Sequence, residues 1–202
     1  MTILEPMPVA TITPPPKASR RKYDPYEDAP DDKLFEVVNG IRVEKTMGVL
    51  QLWLGSQIHG LLDQHCRENQ LGRSVSEMMF DIPSRSNDRK PDVAFVSYSK
   101  WPRNRPVPSV NAWPVVPEFV VEVVSPSDAF FKVIDKVHEY FEAGVKLVWL
   151  IVSSVEQAYI FTAPNAVTII DSEGDLSGGD VVPGFRLPMR VLFPVSETEA
   201  AP

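Results

Sequence analysis

The chain has 202 residues, of which 44% are hydrophobic and 23% are charged, and its formal net charge is −7. This composition is ordinary for a globular protein and excludes a fibrous or globally disordered chain. The single cysteine, Cys66, excludes an internal disulfide framework and a cysteine-based zinc site, and three histidines leave little for a histidine-rich metal site. The acidic balance argues against a protein that binds nucleic acid mainly through a basic surface.

The sequence contains no apolar run as long as the roughly 18 residues that a membrane-spanning helix requires. Its first residues have neither the basic start nor the continuous apolar core of a signal peptide. We therefore expect a cytoplasmic protein that is not inserted in a membrane.

Composition divides the chain into three segments. Residues 1–30 contain seven of the 20 prolines, which predicts a mobile arm with extended backbone. A basic cluster at positions 17–22 of this arm is either solvated or in contact with a DNA backbone. Residues 31–194 form the predicted folded domain, and residues 195–202 form a frayed tail.

The domain is predicted to begin with a β-hairpin and a helix. Lys33–Val38 and Ile41–Lys45 flank Asn39-Gly40, a pair that supplies the positive φ angles of a type I′ turn. Val49–Glu68 carries apolar residues at steps of three and four, which is the period of an amphipathic helix.

The middle of the chain is predicted to contain strands and a long loop. Arg73–Ile82 is expected to be one strand, the polar residues 84–90 a turn, and Pro91–Val96 a short buried strand. Residues 99–117 contain five prolines and two tryptophans and are expected to form a loop.

The second half of the domain is predicted to be a strand, a helix and a strand, at Glu118–Val124, Ala129–Ala143 and Lys146–Val152. This order indicates a crossover between parallel strands. A hairpin follows at 156–171, then a solvated acidic turn at 171–180 and a closing segment at 181–193. We therefore expect an α/β fold, a mixed sheet flanked by helices with an N-terminal β-hairpin.

Glu122 lies within the apolar run Phe119–Val124, which is typical of a strand buried on both faces. An isolated ionised carboxylate in such a strand is strongly unfavourable. Glu122 is therefore either a structural residue paired with a Lys or Arg, or a metal ligand at a strand that opens onto a cleft.

Asp92 follows Pro91 at the start of another buried strand, where it either caps a turn or joins Glu122. Two carboxylates on neighbouring strands repel each other unless a cation lies between them. Mg²⁺ and Mn²⁺ suit such a site because they take oxygen ligands and keep water. Bound metal would lower the pKa of that water and offset charge on a phosphate.

Two further residues complete the candidate site. Lys136 lies among the apolar positions of the predicted helix, where it either extends to solvent or reaches back toward Glu122. Beside two carboxylates it would orient an attacking water or stabilise charge on a phosphate. Glu36, in the first hairpin, either faces water or joins the site, and Glu44 and Glu77 are alternatives for the same place.

Together these residues resemble the Uma-two family of restriction endonucleases, part of the PD-(D/E)XK nuclease superfamily. The resemblance extends over about residues 31–194, and its most specific part runs from Glu122 to Leu150. The segments that carry it are Phe35-Glu36-Val37-Val38-Asn39-Gly40, Lys90-Pro91-Asp92-Val93, Val121–Asp128, Lys136 with Tyr140, Ala143-Gly144-Val145 and Val148-Trp149-Leu150.

The resemblance implies a restriction-endonuclease-like fold and Mg²⁺-dependent (or Mn²⁺-dependent) hydrolysis of DNA phosphodiester bonds. By position, Asp92 and Glu122 match the two metal-binding acids of the superfamily. Its lysine normally follows the second acid by two residues, where this chain has Val124, and the family resemblance assigns that role to Lys136. In the implied mechanism Lys136 positions the metal-activated water, and Glu36 assists as ligand or base.

Two alternatives remain open. The first is a non-catalytic nuclease-fold module for binding or scaffolding, favoured by the net charge and by two departures from the family: Lys132, where an acid is common, and Gln51, where a histidine is common. The second is a metal-dependent hydrolase of RNA or of a small phosphorylated compound. The resemblance also implies a homodimer on DNA, and the loop around Trp101 and Trp113 is the candidate interface unless these tryptophans cover the core.

Overall fold

The computed structural model describes residues 24–27 and 34–194. The predicted tail and most of the predicted arm, with its basic cluster, lie outside the described residues. The Pro25 carbonyl oxygen accepts a hydrogen bond from Arg42 Nε at 2.9 Å, and the Tyr26 hydroxyl donates to Asp88 Oδ2 at 2.9 Å. Residues 24–27 therefore pack against the first hairpin and the strand beside it.

Strands and helices follow one another in a mixed α/β order. The first half contains β1 Phe35–Val38, β2 Ile41–Glu44, α1 Val49–Glu68, β3 Gly72–Ser76, β4 Phe80–Ile82, β5 Asn87–Arg89 and β6 Val93–Ser97. The second half contains β7 Phe119–Val124, α2 Phe130–Ala143, β8 Leu147–Val152, β9 Gln157–Ala163, β10 Ala166–Ile170, β11 Asp175–Ser177, β12 Arg186–Pro188 and α3 Met189–Leu192.

The main sheet has six strands in the order β10-β9-β8-β7-β6-β3, and β7 and β8 pair in parallel while the other pairs are antiparallel. The first hairpin belongs to a four-stranded sheet, β2-β1-β5-β4. Its turn has φ angles of 53° at Asn39 and 76° at Gly40, as the sequence predicts. The expected mixed sheet with flanking helices and an N-terminal hairpin is therefore confirmed.

Alternate residues of β7 face two separate cores, because successive side chains of a strand point to opposite sides. Val121 packs with Ile58 of α1 on one face, and Val120 packs with Tyr140 of α2 on the other. Helix α2 ends at Gly144, whose φ of 103° lies in the left-handed region that favours glycine. Within the described residues, no helix has the length and apolarity needed to span a membrane.

The single strand predicted over Arg73–Ile82 is wrong, because this segment forms two strands in different sheets. β3 pairs with β6 in the main sheet, whereas β4 pairs with β5 in the four-stranded sheet. Between them Glu77 has a φ of 50°, which interrupts extended backbone. The break occurs where the chain passes from one sheet to the other, and the local pattern does not show this.

The turn predicted over residues 84–90 is confirmed only for 84–86, because residues 87–89 form β5 between β1 and β4. All three are buried. The side chains of Asn87 and Arg89 are satisfied there by Glu139 of α2, to which Asn87 Nδ2 donates at 2.6 Å. A strand that buries polar groups through specific partners has no hydrophobic signal in its sequence.

The acidic segment 171–180 is more than the predicted solvated turn. Its residues 175–177 pair with β12, and Leu176 is fully buried in the core that also contains α1. A single apolar side chain therefore anchors an otherwise polar stretch to the domain.

The long loop 99–117 places both of its tryptophans in the core on the α2 face. Trp101 and Trp113 are 4% and 2% exposed, and their ring centroids lie 5.3 Å apart in an edge-to-face arrangement. The tryptophans therefore cover the core, which was the alternative to an interface. The homodimer stays a prediction that these side chains do not support.

The close approach of β3 to β6 requires glycine at position 72. A Cβ there would lie 2.8 Å from Ser97 Cα and still closer to the Val96 carbonyl oxygen. We expect Gly72→Ala to lower the free energy of unfolding by about 1–3 kcal/mol, since overpacking forces backbone to move. Gly60→Ala, in the interior of α1 with no atom within 4 Å of the new Cβ, should instead raise it by about 0.5–1 kcal/mol. Urea denaturation measures both, and a Gly72→Ala variant as stable as the parent would contradict this packing.

Candidate active site

A cleft of about 450 Å³ opens between the first hairpin, the start of α1, the end of β7 and helix α2. The four residues singled out in the sequence, Glu36, Asp92, Glu122 and Lys136, all line it. They come from two sheets and one helix. The cleft is therefore assembled by the tertiary fold and not by one local segment.

Asp92 is held where the pairing of β6 with β7 ends. The last paired residues are Val93 and Val121, and beyond them the Val123 N–H donates to Asp92 Oδ2. The carboxylate thus satisfies a backbone donor at the end of the ladder. Asp92 is 3% exposed, and its other oxygen, Oδ1, accepts a hydrogen bond from Lys45 Nζ at 2.6 Å.

Glu122 points to the α2 face of the main sheet, where two groups of that helix bind it. The Tyr140 hydroxyl donates to Glu122 Oε1 at 2.6 Å, and Lys136 Nζ donates to Oε2 at 2.9 Å. Burial raises the pKa of Glu122, the charge of Lys136 opposes this rise, and the nearby Asp92 adds to it. Any further positive charge that enters the cleft would stabilise the ionised form of this buried carboxylate.

Lys136 bridges two acids from different sheets. Its Nζ lies 2.9 Å from Glu122 and 2.7 Å from Glu36 Oε1, and its side chain is 15% exposed. Burial by itself lowers the pKa of Lys136, but the charges of Glu122 and Glu36 outweigh burial and hold the pKa above its ordinary value. Lys136 therefore remains an ammonium ion at neutral pH and acts as a donor, not as a base.

Glu36 is fixed from three sides on β1. Besides Lys136, it accepts hydrogen bonds from Arg89 Nη1 at 3.0 Å and from the Lys90 N–H at 2.9 Å. Burial favours a higher pKa for Glu36, but Lys136 and Arg89 outweigh it and lower the pKa to about 2. Glu36 is thus ionised and a weak proton acceptor, which suits the orientation of Lys136 better than the base role considered from the sequence.

The two alternatives to Glu36 occupy different places. Glu44 is exposed at the end of β2. Glu77 does not line the cleft, and both of its carboxylate oxygens lie 3.1 Å from Lys45 Nζ. Burial raises the pKa of Glu77 to about 7, with Lys45 opposing and Asp92 reinforcing the rise. Glu36 and Glu77 therefore each contact a lysine of the cleft, but not the same one.

Lys45 is a cleft residue that the sequence analysis missed. It follows β2 directly, and its Nζ contacts Asp92, Glu77 and the Lys90 carbonyl oxygen, the last at 2.8 Å. Its side chain is only 14% exposed. A lysine at the end of a hairpin carries no burial signal in the sequence. The available signal was the charge of Asp92, which requires a cation from some other part of the chain.

The carboxylates of Asp92 and Glu122 fit a hard divalent cation. Mg²⁺ in proteins commonly binds one or two carboxylates and keeps water in its other positions. Across residues 24–27 and 34–194, no group of three or more His, Cys, Asp or Glu side chains is placed to hold a metal ion, so water or substrate would complete the coordination. In the ion pairs that three basic side chains form here, acids outnumber bases by five to three: Glu36, Glu77, Asp92, Glu122 and Glu139 with Lys45, Arg89 and Lys136.

Both departures from the family pattern lie at the cleft. Gln51 is 7% exposed near the start of α1, and its Nε2 donates to Ser153 Oγ at 3.4 Å. Lys132 is exposed one turn before Lys136 on α2. Neither residue replaces a contact of Asp92 or Glu122 described above, so the departures leave the four central side chains in place.

Arg89 and Glu139 form a buried ion pair behind Glu36, with Arg89 Nε and Nη2 donating to Glu139 Oε2 at 3.1 and 2.5 Å. We expect Glu139→Gln to lower the free energy of unfolding by about 3 kcal/mol, because it removes one partner of a buried pair. Glu142→Gln is the matched control, since Glu142 binds Arg85 on the exposed side of the same helix and its loss should leave stability nearly unchanged. Thermal and urea unfolding compare the two, and equal effects would disprove a special role for the buried pair.

A family model and a solved structure place the chain among known proteins. Residues 21–190 match the family model Uma2, described as "Putative restriction endonuclease". The fold is similar to that in the crystal structure of "a putative nuclease belonging to DUF820" from Anabaena variabilis ATCC 29413, with a TM-score of 0.69 and 17% identity over 79% of this chain and 89% of that chain. None of the curated proteins matches this chain. Because the family model spans most of the sequence, the resemblance predicted from the residues is confirmed, and the protein belongs to the Uma2 family of putative restriction endonucleases.

Proposed function

We propose that this protein is a Mg²⁺- or Mn²⁺-dependent endonuclease that hydrolyses DNA phosphodiester bonds with a site of the PD-(D/E)XK type. One observation carries the proposal: two acids from neighbouring strands and an ammonium group from the following helix line the same cleft. The family description as restriction endonuclease supports DNA as the substrate.

In this proposal Asp92 and Glu122 hold the divalent cation. When bound, the metal supplies a water of lowered pKa and neutralises charge on the scissile phosphate. Asp92 is suited to this role because its contact with the Val123 N–H fixes its carboxylate at the start of β6. Glu122 is suited because the Tyr140 hydroxyl orients it toward the cleft.

Lys136 supplies the positive group that the superfamily places two residues after the second acid. Val124 occupies that position here and packs partly buried against the α2 core. Lys136 reaches Glu122 from α2 instead. Its ammonium group would donate hydrogen bonds to the attacking water and to a phosphate oxygen while a P–O ester bond breaks. Glu36 is then a positioning residue, because it holds Lys136 from the opposite side at 2.7 Å.

The proposal includes a homodimer acting on DNA in the cytoplasm. Two copies of the chain would bring two such clefts to a duplex, one for each strand. Because Trp101 and Trp113 are buried, the dimer contact would have to involve other residues of this or another surface.

One structural observation favours a second candidate, a non-catalytic module of the same fold. Both acids are already bonded to protein cations, Asp92 to Lys45 and Glu122 to Lys136. Carboxylates that are already paired with lysines of the same chain can contribute to stability alone. Calorimetry with Mn²⁺ separates the candidates, since a metal site gives a heat change that saturates at about one ion per chain and an internal ion-pair network does not.

Cleavage of labelled single-stranded, duplex and branched DNA, with RNA in parallel, tests the proposed activity. We expect the parent to cut DNA with Mg²⁺ or Mn²⁺ but not with EDTA. Glu122→Gln should slow the reaction by at least about 100-fold, because it removes one of the two carboxylates proposed to hold the metal ion. The substituted amide keeps the size of the side chain, and circular dichroism verifies that the variant is folded.

Glu142→Gln makes the same chemical change on the exposed side of α2 and should cut at the parental rate. Cleavage by Glu122→Gln at that rate, or cleavage in EDTA, would refute the assignment. Cleavage of RNA but not of DNA would show that the substrate is RNA and not DNA. Metal binding without cleavage of any nucleic acid would favour the non-catalytic module.

A further inference from the structure

Lys45 joins the four-stranded sheet to the acid at the start of β6. Its backbone N–H donates to the Leu34 carbonyl oxygen at 2.9 Å, which fixes the residue beside the hairpin. From there its side chain crosses to Asp92 Oδ1 at 2.6 Å. We propose that Lys45 is an internal counter-ion that occupies the free oxygen of Asp92 and competes with the divalent cation for it. This inference rests on the proposed metal-dependent function.

The hydrogen-bonding capacity of the Lys45 ammonium group is fully used. It has three N–H donors, and its acceptors are Asp92 Oδ1, the Lys90 carbonyl oxygen at 2.8 Å and the two oxygens of Glu77 at 3.1 Å each. A lysine so held is a fixed charge and not a mobile surface group. Any cation that binds Asp92 therefore meets a positive charge already in place.

The other oxygen of Asp92 offers no easier approach. Oδ2 accepts the buried Val123 N–H, so a metal ion that used this oxygen would share it with a backbone donor. Oδ1 is thus the oxygen that a metal would share with Lys45 or take from it. Repulsion between the two cations at a common oxygen makes metal binding weaker than the two carboxylates alone would allow.

A purely structural role for Lys45 makes a different prediction. If the lysine only ties the sheets together, its removal lowers stability and leaves metal affinity unchanged or weaker. If it competes with the metal, its removal lowers the stability of the metal-free protein but raises metal affinity. Metal binding is therefore the readout that separates the two roles.

The experiment is titration calorimetry of the full chain with MnCl₂, comparing the parent with Lys45→Met. We expect the Mn²⁺ dissociation constant of the variant to fall at least about tenfold, which corresponds to about 1.4 kcal/mol. Lys146→Met is the matched control, because Lys146 is exposed at the start of β8 and outside the cleft. It removes the same charge and should change the Mn²⁺ dissociation constant by less than about twofold if the effect of Lys45 is local.

Lys45→Gln provides a second variant if the methionine side chain disturbs folding, since its amide retains hydrogen-bond donors for the same acceptors. For either folded variant, the thermal midpoint without metal should fall below that of the parent. Saturating Mn²⁺ should then raise the midpoint of the variant by more than it raises that of the parent. This second readout does not depend on nuclease activity.

The outcomes distinguish this inference from the proposed function. Tighter Mn²⁺ binding by the Lys45 variants, or binding by the variants alone, supports the inference. If the parent binds Mn²⁺ and the Lys45 variants bind it equally or more weakly, competition by Lys45 is wrong while the metal site stands. If neither the parent nor the variants bind Mn²⁺, both the competition and the metal-dependent function are overturned.

Discussion

Charge compensation among buried carboxylates is the constraint on which this structure depends. Five acids converge where the two larger sheets meet α2, and three basic side chains from separate parts of the chain are bonded to them. Without these partners the desolvation of the acids would oppose folding strongly. The same arrangement favours the binding of a small cation in the cleft, because the acids outnumber the basic side chains that are bonded to them.

The compensating cations also join the two larger sheets. Lys45, beside the hairpin, binds Asp92 at the main sheet, and Lys136 of α2 binds Glu36 of the hairpin sheet. Ion pairs therefore span the junction from both sides. Arg89 binds Glu36 within that sheet and Glu139 of α2. The geometry of the cleft and the docking of the hairpin are therefore set by the same contacts. A change in one of these side chains acts on both stability and chemistry.

The sequence predicts those parts of the protein in which local pattern and environment agree. The helix Val49–Glu68 has the predicted bounds, and the Asn39-Gly40 turn has the predicted backbone. Glu122 was found because a charge within an apolar strand has few physical explanations. Strand β5 and Lys45 were not found, because their burial depends on partners contributed by distant segments. Polarity in the sequence reports average exposure, whereas these groups are buried through specific pairs.

The delivery of the ammonium group by α2 has a consequence for how the site can vary. Residues two apart on a strand point to the same face of the sheet. A lysine two residues after Glu122 on β7 would therefore have its direction fixed relative to Glu122. On a helix each residue turns the side-chain direction by about 100°, and the end of α2 at Gly144 sets that rotation relative to the sheet. Inserting one residue between Lys136 and Gly144 would turn the Lys136 amine away from the acids, yet inserting a full helical turn there would return it to nearly the same direction at a different depth. Insertions of about one helical turn would thus preserve the direction of the amine, a kind of variation that the acids on the strands do not share.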